Sequence, residues 1–247
     1  MNRENVFFTL IEPKEAGNIG AAARAIKNMG FSRLVLVNSM SHLSRDAVAM
    51  AHGAQDILDA TQVYDTLDEA LYDKSMVIGT TRRLGKARGV ILPVDEGVKK
   101  YCPITDSNKL AVLFGRENTG LLNDEVERCG FLLTIPTYSS QPSLNLAQAV
   151  LIVAYEFARC SDIITPPEEN DEIGRELVPY HELSVLYRRI GETLKKLGYG
   201  MRGSEDLEAD VTRNIKHLLG RIGLTRWEIN MLQGLCSYIN LKIQREI

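Results

Sequence analysis

Between residues 6 and 135, short runs of β-branched and other apolar residues alternate with stretches whose apolar positions recur at helical spacing. Few folds accommodate that order. Val6–Ile11, Leu34–Val37, Met76–Gly79, Leu110–Phe114 and Phe131–Ile135 read as strands. Ile19–Met29, Arg45–Ala51, Leu67–Tyr72, Val94–Tyr101 and Asn123–Cys129 read as the helices between them. The alternation predicts an α/β fold with a mainly parallel sheet covered on both faces. Ligands of such sheets gather at the carboxyl ends of the strands, so the loops there should carry the chemistry.

The next segment, Leu144–Arg159, has apolar residues all round and only Asn145, Gln148, Glu156 and Arg159 clearly polar. A helix apolar on every side is buried on every side, which predicts a place between its own sheet and a second subunit, hence a homodimer. Residues 161–176 then bring a Pro-Pro pair and an acidic cluster, the texture of a linker. Beyond it, Leu183, Leu186, Tyr187, Ile190, Leu194 and Leu197 share one helical stripe, and Leu207, Val211, Ile215, Leu218 and Leu219 share another. Trp227, Met231, Leu235 and Ile239 form a third after the capping box Thr225-Arg226-Trp227-Glu228. The expected organisation is a domain over 1–160, a linker over 161–176 and a small all-α domain over 177–247.

Composition narrows the function class. With 29 Lys and Arg against 32 Asp and Glu, the net charge of −3 excludes a polycation but leaves room for a local basic surface. Cys102, Cys129, Cys160 and Cys236 show no CxxC pairing, so neither a zinc site nor a disulfide framework is indicated. The apolar run near the start meets charge too soon for a signal peptide, and no stretch approaches the ~20 apolar residues of a membrane span. The expectation is a cytoplasmic protein without a metal, and His42, His52, His181 and His217 lie outside the candidate loops.

Four strand-end loops stand out. Glu12–Gly20 places Gly17 and Gly20 three apart, which suits a tight strand-to-helix turn with close backbone approach, and leads into a helix where Arg24 sits among alanines. Arg24 there either forms a surface ion pair or reaches a ligand. Gly79–Arg88 holds Arg82, Arg83, Lys86 and Arg88 with no acidic residue, which suits either phosphate contact or a solvated face. Phe114–Leu121 contains Gly115, Arg116, Glu117 and Gly120 but lacks the Lys-Ser/Thr of a nucleotide phosphate loop. A carboxylate directly after a core strand is costly to bury unpaired, so Glu117 should find a partner such as Arg24 or Arg116. Ile135–Leu146 is rich in hydroxyls and amides, with Ser143 a natural helix cap.

In this order, GNIGAAARAIKNMGF, LFGRENTGL and IPTYSSQPSLNLAQAV resemble the three motifs of the SPOUT-class RNA 2′-O-ribose methyltransferases, closest to the TrmJ type and more loosely to the TrmH type. The likeness covers about residues 5–160, and the helical tail also resembles the TrmJ-type extension. It implies a SPOUT fold with a C-terminal trefoil knot, S-adenosyl-L-methionine as cofactor and tRNA as partner. By resemblance Thr80, Thr81, Gly115, Ile135, Pro142, Ser143 and Leu144 contact the cofactor. Arg24 matches the catalytic arginine, with Asn18, Glu117, Ser143 and Asn145 completing the motif residues. Arg82, Arg83, Lys86, Arg88 and Arg116 are expected on RNA. The implied activity is ribose methylation of cytidine or uridine at nucleotide 32 of the anticodon loop. Another tRNA position, ribosomal RNA, or a non-catalytic RNA-binding module are the alternatives.

Overall fold

The apolar runs form strands because both of their faces are covered. In a computed structural model, described over residues 1–39, 41–83, 89–138, 143–162, 176–202 and 205–246, seven strands make one sheet. They are β1 (Val6–Ile11), β2 (Arg33–Val37), β3 (Gln62–Tyr64), β4 (Met76–Thr80), β5 (Ile91–Pro93), β6 (Leu110–Phe114) and β7 (Phe131–Thr134). Their spatial order is β3-β2-β1-β6-β4-β7-β5, and every neighbouring pair is parallel. The helices flanking the sheet are α1 (Ala16–Asn28), α2 (Arg45–Met50), α3 (Gln55–Asp59), α4 (Leu67–Leu71), α5 (Val94–Tyr101), α6 (Asn123–Val126) and α7 (Leu146–Asp162).

The two-residue period of a strand sorts its side chains between two cores. Val6, Phe8 and Leu10 of β1 pack with Ile19, Ala22 and Ile26 of α1 and with Val150, Val153 and Phe157 of α7. Phe7 and Ile11 point the other way, toward Leu71 of α4 and Val126 of α6. The elements not foreseen are the short ones, α3, β3 and β5. β3 and β5 are three-residue edge strands, too brief to show a period. β5 ends on Pro93, which an edge strand tolerates because no ladder bond is lost there.

The C-terminal region contains α8 (Tyr180–Lys196), the short pair β8 (Met201–Arg202) and β9 (Glu205–Asp206), α9 (Leu207–Ile222) and α10 (Arg226–Glu246). It is therefore mainly but not wholly helical. Leu186, Tyr187, Leu224 and Ile229 lie in its small core. The expected capping box is present, with Glu228 accepting from the Thr225 N–H at 2.7 Å. This region is stitched to the amino-terminal ends of the sheet strands. The Tyr180 N–H donates to Lys74 O at 2.7 Å, and the Leu177 N–H to Asn108 Oδ1 at 2.7 Å. Gly220 of α9 meets Gly130 backbone to backbone: a Cβ on Gly130 would stand 2.0 Å from the Gly220 carbonyl oxygen.

Two apolar helix faces are open in the single chain. α7 is buried along Val150, Val153, Ala154 and Phe157, but Leu151 and Tyr155 are exposed. The stripe Trp227, Met231 and Leu235 faces solvent, because α10 instead turns Ile229 and Cys236 inward. Periodicity locates a stripe without saying which neighbour will cover it. Most of the expected linker, residues 163–175, lies outside the described residues.

Candidate active site

The carboxyl ends of β4, β6 and β7 open onto a pocket lined by Thr80, Thr81, Arg82, Arg83, the loop Gly115–Leu121, Leu133, Ile135, Thr137, Ser143, Leu144, Leu146 and Ala149. Two cross-strand hydrogen bonds set its floor. Thr80 Oγ1 donates to Leu113 O at 2.9 Å, and the Thr81 N–H to Leu133 O at 2.9 Å. The loop after β6 folds back on itself, the Gly120 N–H donating to Arg116 O at 2.8 Å. Position 115 must be glycine for this, since a Cβ there would sit 2.1 Å from the Gly120 carbonyl carbon.

Beside the pocket, three motif residues form one hydrogen-bonded chain. Glu117 Oε1 accepts from Asn18 Nδ2 at 2.8 Å, and Asn18 Oδ1 accepts from Asn145 Nδ2 at 2.9 Å. The expected arginine partner for Glu117 is replaced by amides: the Lys14 N–H reaches Oε2 at 3.0 Å and the Glu15 N–H reaches Oε1 at 3.3 Å. Burial pushes the Glu117 pKa up. The Lys14 N–H and Asn18 lead the donors that outweigh it and hold the carboxyl below its ordinary value. An ionised carboxylate surrounded by donors is suited to orientation rather than to taking a proton.

Asn145, rather than Ser143, caps α7. Its Oδ1 accepts the Ala147 N–H at 2.9 Å, and the helix starts at Leu146. Ser143 lines the pocket instead. Arg24 is exposed on α1 and is absent from the lining of its own chain's pocket.

Arg116 departs from the expectation of an RNA contact. Its side chain is only 10% exposed, and Nε donates to Glu12 Oε2 at 2.9 Å while Nη1 donates to Glu125 Oε1 at 2.9 Å. Nη2 lies 2.8 Å from Glu12 Oε1, so every guanidinium nitrogen is engaged. The Arg116 hydrogen bonds hold Glu12 down at a pKa of about 2, and Glu12 raises that of Arg116. Sequence reasoning missed Glu12 and Glu125. The rule applied to Glu117, a carboxylate directly after a core strand, would have found Glu12 at the end of β1. Pro142, Lys86 and Arg88 lie outside the described residues. Among the described residues no group of three His, Cys, Asp or Glu side chains could hold a metal, and no helix is long and apolar enough to cross a membrane.

A parallel sheet with a glycine-closed pocket at its carboxyl edge and a carboxylate–amide–amide chain beside it is the architecture of an α/β enzyme whose ligand site lies at the strand ends. The SpoU rRNA Methylase family profile matches residues 5–155. A tRNA (cytidine/uridine/adenosine-2'-O-)-methyltransferase TrmJ from Pseudomonas aeruginosa is 36% identical, over 95% of this chain and 93% of that protein. The solved TrmJ structure from Z. mobilis has 28% identity and a TM-score of 0.76, covering 95% of this chain and 98% of that one. The methyltransferase AviRb from Streptomyces viridochromogenes, solved in complex with AdoMet, has 22% identity and a TM-score of 0.51 over 64% of this chain and 61% of that one, a likeness of fold. The chain belongs to the SpoU rRNA Methylase family. It is an RNA methyltransferase of that family.

Proposed function

We propose that this enzyme methylates a ribose 2′-hydroxyl of tRNA, at nucleotide 32 of the anticodon loop in cytidine or uridine, using S-adenosyl-L-methionine. The convergence of Asn18, Glu117 and Asn145, contributed by three separate strand-end segments, carries this reading. The pocket fits the cofactor chemically. Leu133, Ile135, Leu144 and Leu146 give apolar walls for an aromatic base, Thr80, Thr81 and Ser143 offer hydroxyls, and Gly115 leaves backbone open to approach. The bound cofactor supplies a methyl group on a sulfonium sulfur that is already a good leaving group. The protein then has to align an incoming ribose oxygen and manage one proton.

Arg24 is assigned to the ribose oxygen. A guanidinium stays protonated, so it stabilises developing negative charge on that oxygen, and an RNA phosphate or water takes the proton. Glu117 and Asn18 orient Asn145 and the start of α7, where Ser143 and Leu144 border the cofactor. Arg82 and Arg83, with Lys86 and Arg88, offer phosphate contacts. Because Arg24 is absent from its own chain's pocket lining, the site is completed in a homodimer formed over the exposed Leu151–Tyr155 face of α7. The trefoil knot is supported by the insertion of β7 between β4 and β5, the two strands that residues 81–90 join. The tail over 177–247, attached at the opposite strand ends, adds tRNA contacts at least a strand length, about 17 Å, from the methylated nucleotide. The setting is cytoplasmic.

The family's own description favours a second reading, ribosomal RNA as substrate. Incubation with labelled cofactor and either total tRNA or ribosomal RNA, followed by mapping of the modified ribose, decides between them. Label in ribosomal RNA alone would overturn the tRNA reading.

A further inference from the structure

Glu12 holds a backbone conformation that its side chain makes costly. Its φ is +45°, in the left-handed region that L-residues other than Asn and Asp seldom enter. Glycine would serve a simple turn there without strain, so the carboxylate itself is what the position requires. That carboxylate is gripped from two sides, by Arg116 and by Asn38 Nδ2, which donates to Oε1 at 3.1 Å. Asn38, at the end of β2, is itself left-handed, with φ +46°. Strain persisting at such a position is held by its surroundings and tends to mark sites whose geometry matters.

Two adjacent residues, Arg116 and Glu117, fasten the loop after β6 to the turn after β1 by opposite means. Arg116 takes the Glu12 side chain, and Glu117 takes the backbone N–H groups of Lys14 and Glu15. Glu125 anchors the far side of the guanidinium, and its side chain is 7% exposed. Burying this network is weak evidence of added stability, since desolvation offsets much of the attraction. Its geometric effect is specific: the 12–15 turn cannot shift without breaking the fork.

We propose that Glu12 is a positioning residue for methyl transfer, holding the 12–15 turn so that its amides aim the Glu117 carboxylate at Asn18. The inference rests on the site reading given above, and it identifies a residue that does not line the cofactor pocket. Its action is on turnover rather than on cofactor capture.

The test compares Glu12→Gly, which keeps the turn accessible while removing the carboxylate, with Glu12→Gln, which preserves size. For both, methylation of the RNA that the unaltered enzyme modifies is followed together with calorimetric affinity for S-adenosylmethionine. The expected result is a kcat lowered about tenfold to a hundredfold, with cofactor affinity and the KM for RNA little changed. A Glu12→Gly enzyme that keeps full kcat would overturn the proposal, because the backbone turn alone would then suffice. So would kcat, cofactor affinity and melting temperature falling together, the mark of a structural role. If Glu12→Gly does not fold, Glu12→Gln is judged by the same criteria. An Arg24→Ala enzyme of undiminished rate would sink the site reading, and the split between kcat and cofactor affinity at Glu12 would still stand or fall separately.

Discussion

The Asn145 side chain does two jobs at once: Nδ2 donates to Asn18 Oδ1 at 2.9 Å while Oδ1 caps α7 through the Ala147 N–H at 2.9 Å. The geometry separates stability from function. Asn145→Asp keeps the capping oxygen and loses the donor, whereas Asn145→Ala loses both. Asn145→Ala should cost about 1 kcal/mol of stability and slow methylation. Asn145→Asp should melt near the unaltered protein yet still turn over slowly. Thermal melting and single-turnover methylation, run on both variants, check this.

Arg24 is exposed, so its removal should leave folding intact. Arg24→Ala should change stability by no more than about 0.5 kcal/mol while lowering the methylation rate by about 10²–10³. Arg24→Lys keeps the charge but not the planar fork. If lysine restores most of the rate across a pH series, the positive charge suffices and the planar fork is unimportant; an Arg24→Lys enzyme as slow as Arg24→Ala would show that charge alone is not enough.

Acid sensitivity follows from the depressed carboxylates. Glu12 is lowered from 4.5 to about 2, chiefly by the Arg116 hydrogen bond, and Glu117 is lowered as well. A depressed folded pKa contributes stability that is fully present above the unfolded value and is lost as pH falls through the folded one. For Glu12 that window runs from 4.5 down to about 2. The gap in urea midpoint between the unaltered protein and Glu12→Gln should be widest above the window and shrink through it. A gap independent of pH would contradict the ion-pair account.

The contact of Gly130 with Gly220 leaves no room for a side chain. Gly130→Ala should cost about 1–3 kcal/mol through forced displacement of α9 and should make the C-terminal helices easier for a protease to release. Limited proteolysis beside a melting curve measures both effects. Unchanged proteolysis would mean that α9 is held elsewhere.

Much of the sheet could be read from the chain. Val6–Ile11 and Leu110–Phe114 are strands with the bounds their apolar runs mark, and Val94–Tyr101 is the helix its pattern describes. The candidate motif loops were also legible, because glycines, amides and a carboxylate at strand ends are chemically conspicuous. β3 and β5 were not, since three residues at a sheet edge carry no measurable period. The solvent-facing Trp227 and Met231 show a related limit: amphipathic spacing names a face, while burial depends on what packs against it.

Local order along the chain thus determined the α/β class, the central strands and the residues able to do chemistry, because hydrophobic period and loop composition are properties of neighbours in sequence. Only the tertiary structure decided that Glu117 answers to Asn18 and two backbone amides, that Arg116 turns inward to Glu12 and Glu125, and that Asn145 is a cap. The pairings of Glu117 with Asn18 and the two amides, and of Arg116 with Glu12, join residues about a hundred positions apart. Which donors meet a buried charge is settled by the parallel register that brings the ends of β1, β6 and β7 together, and no local pattern encodes it.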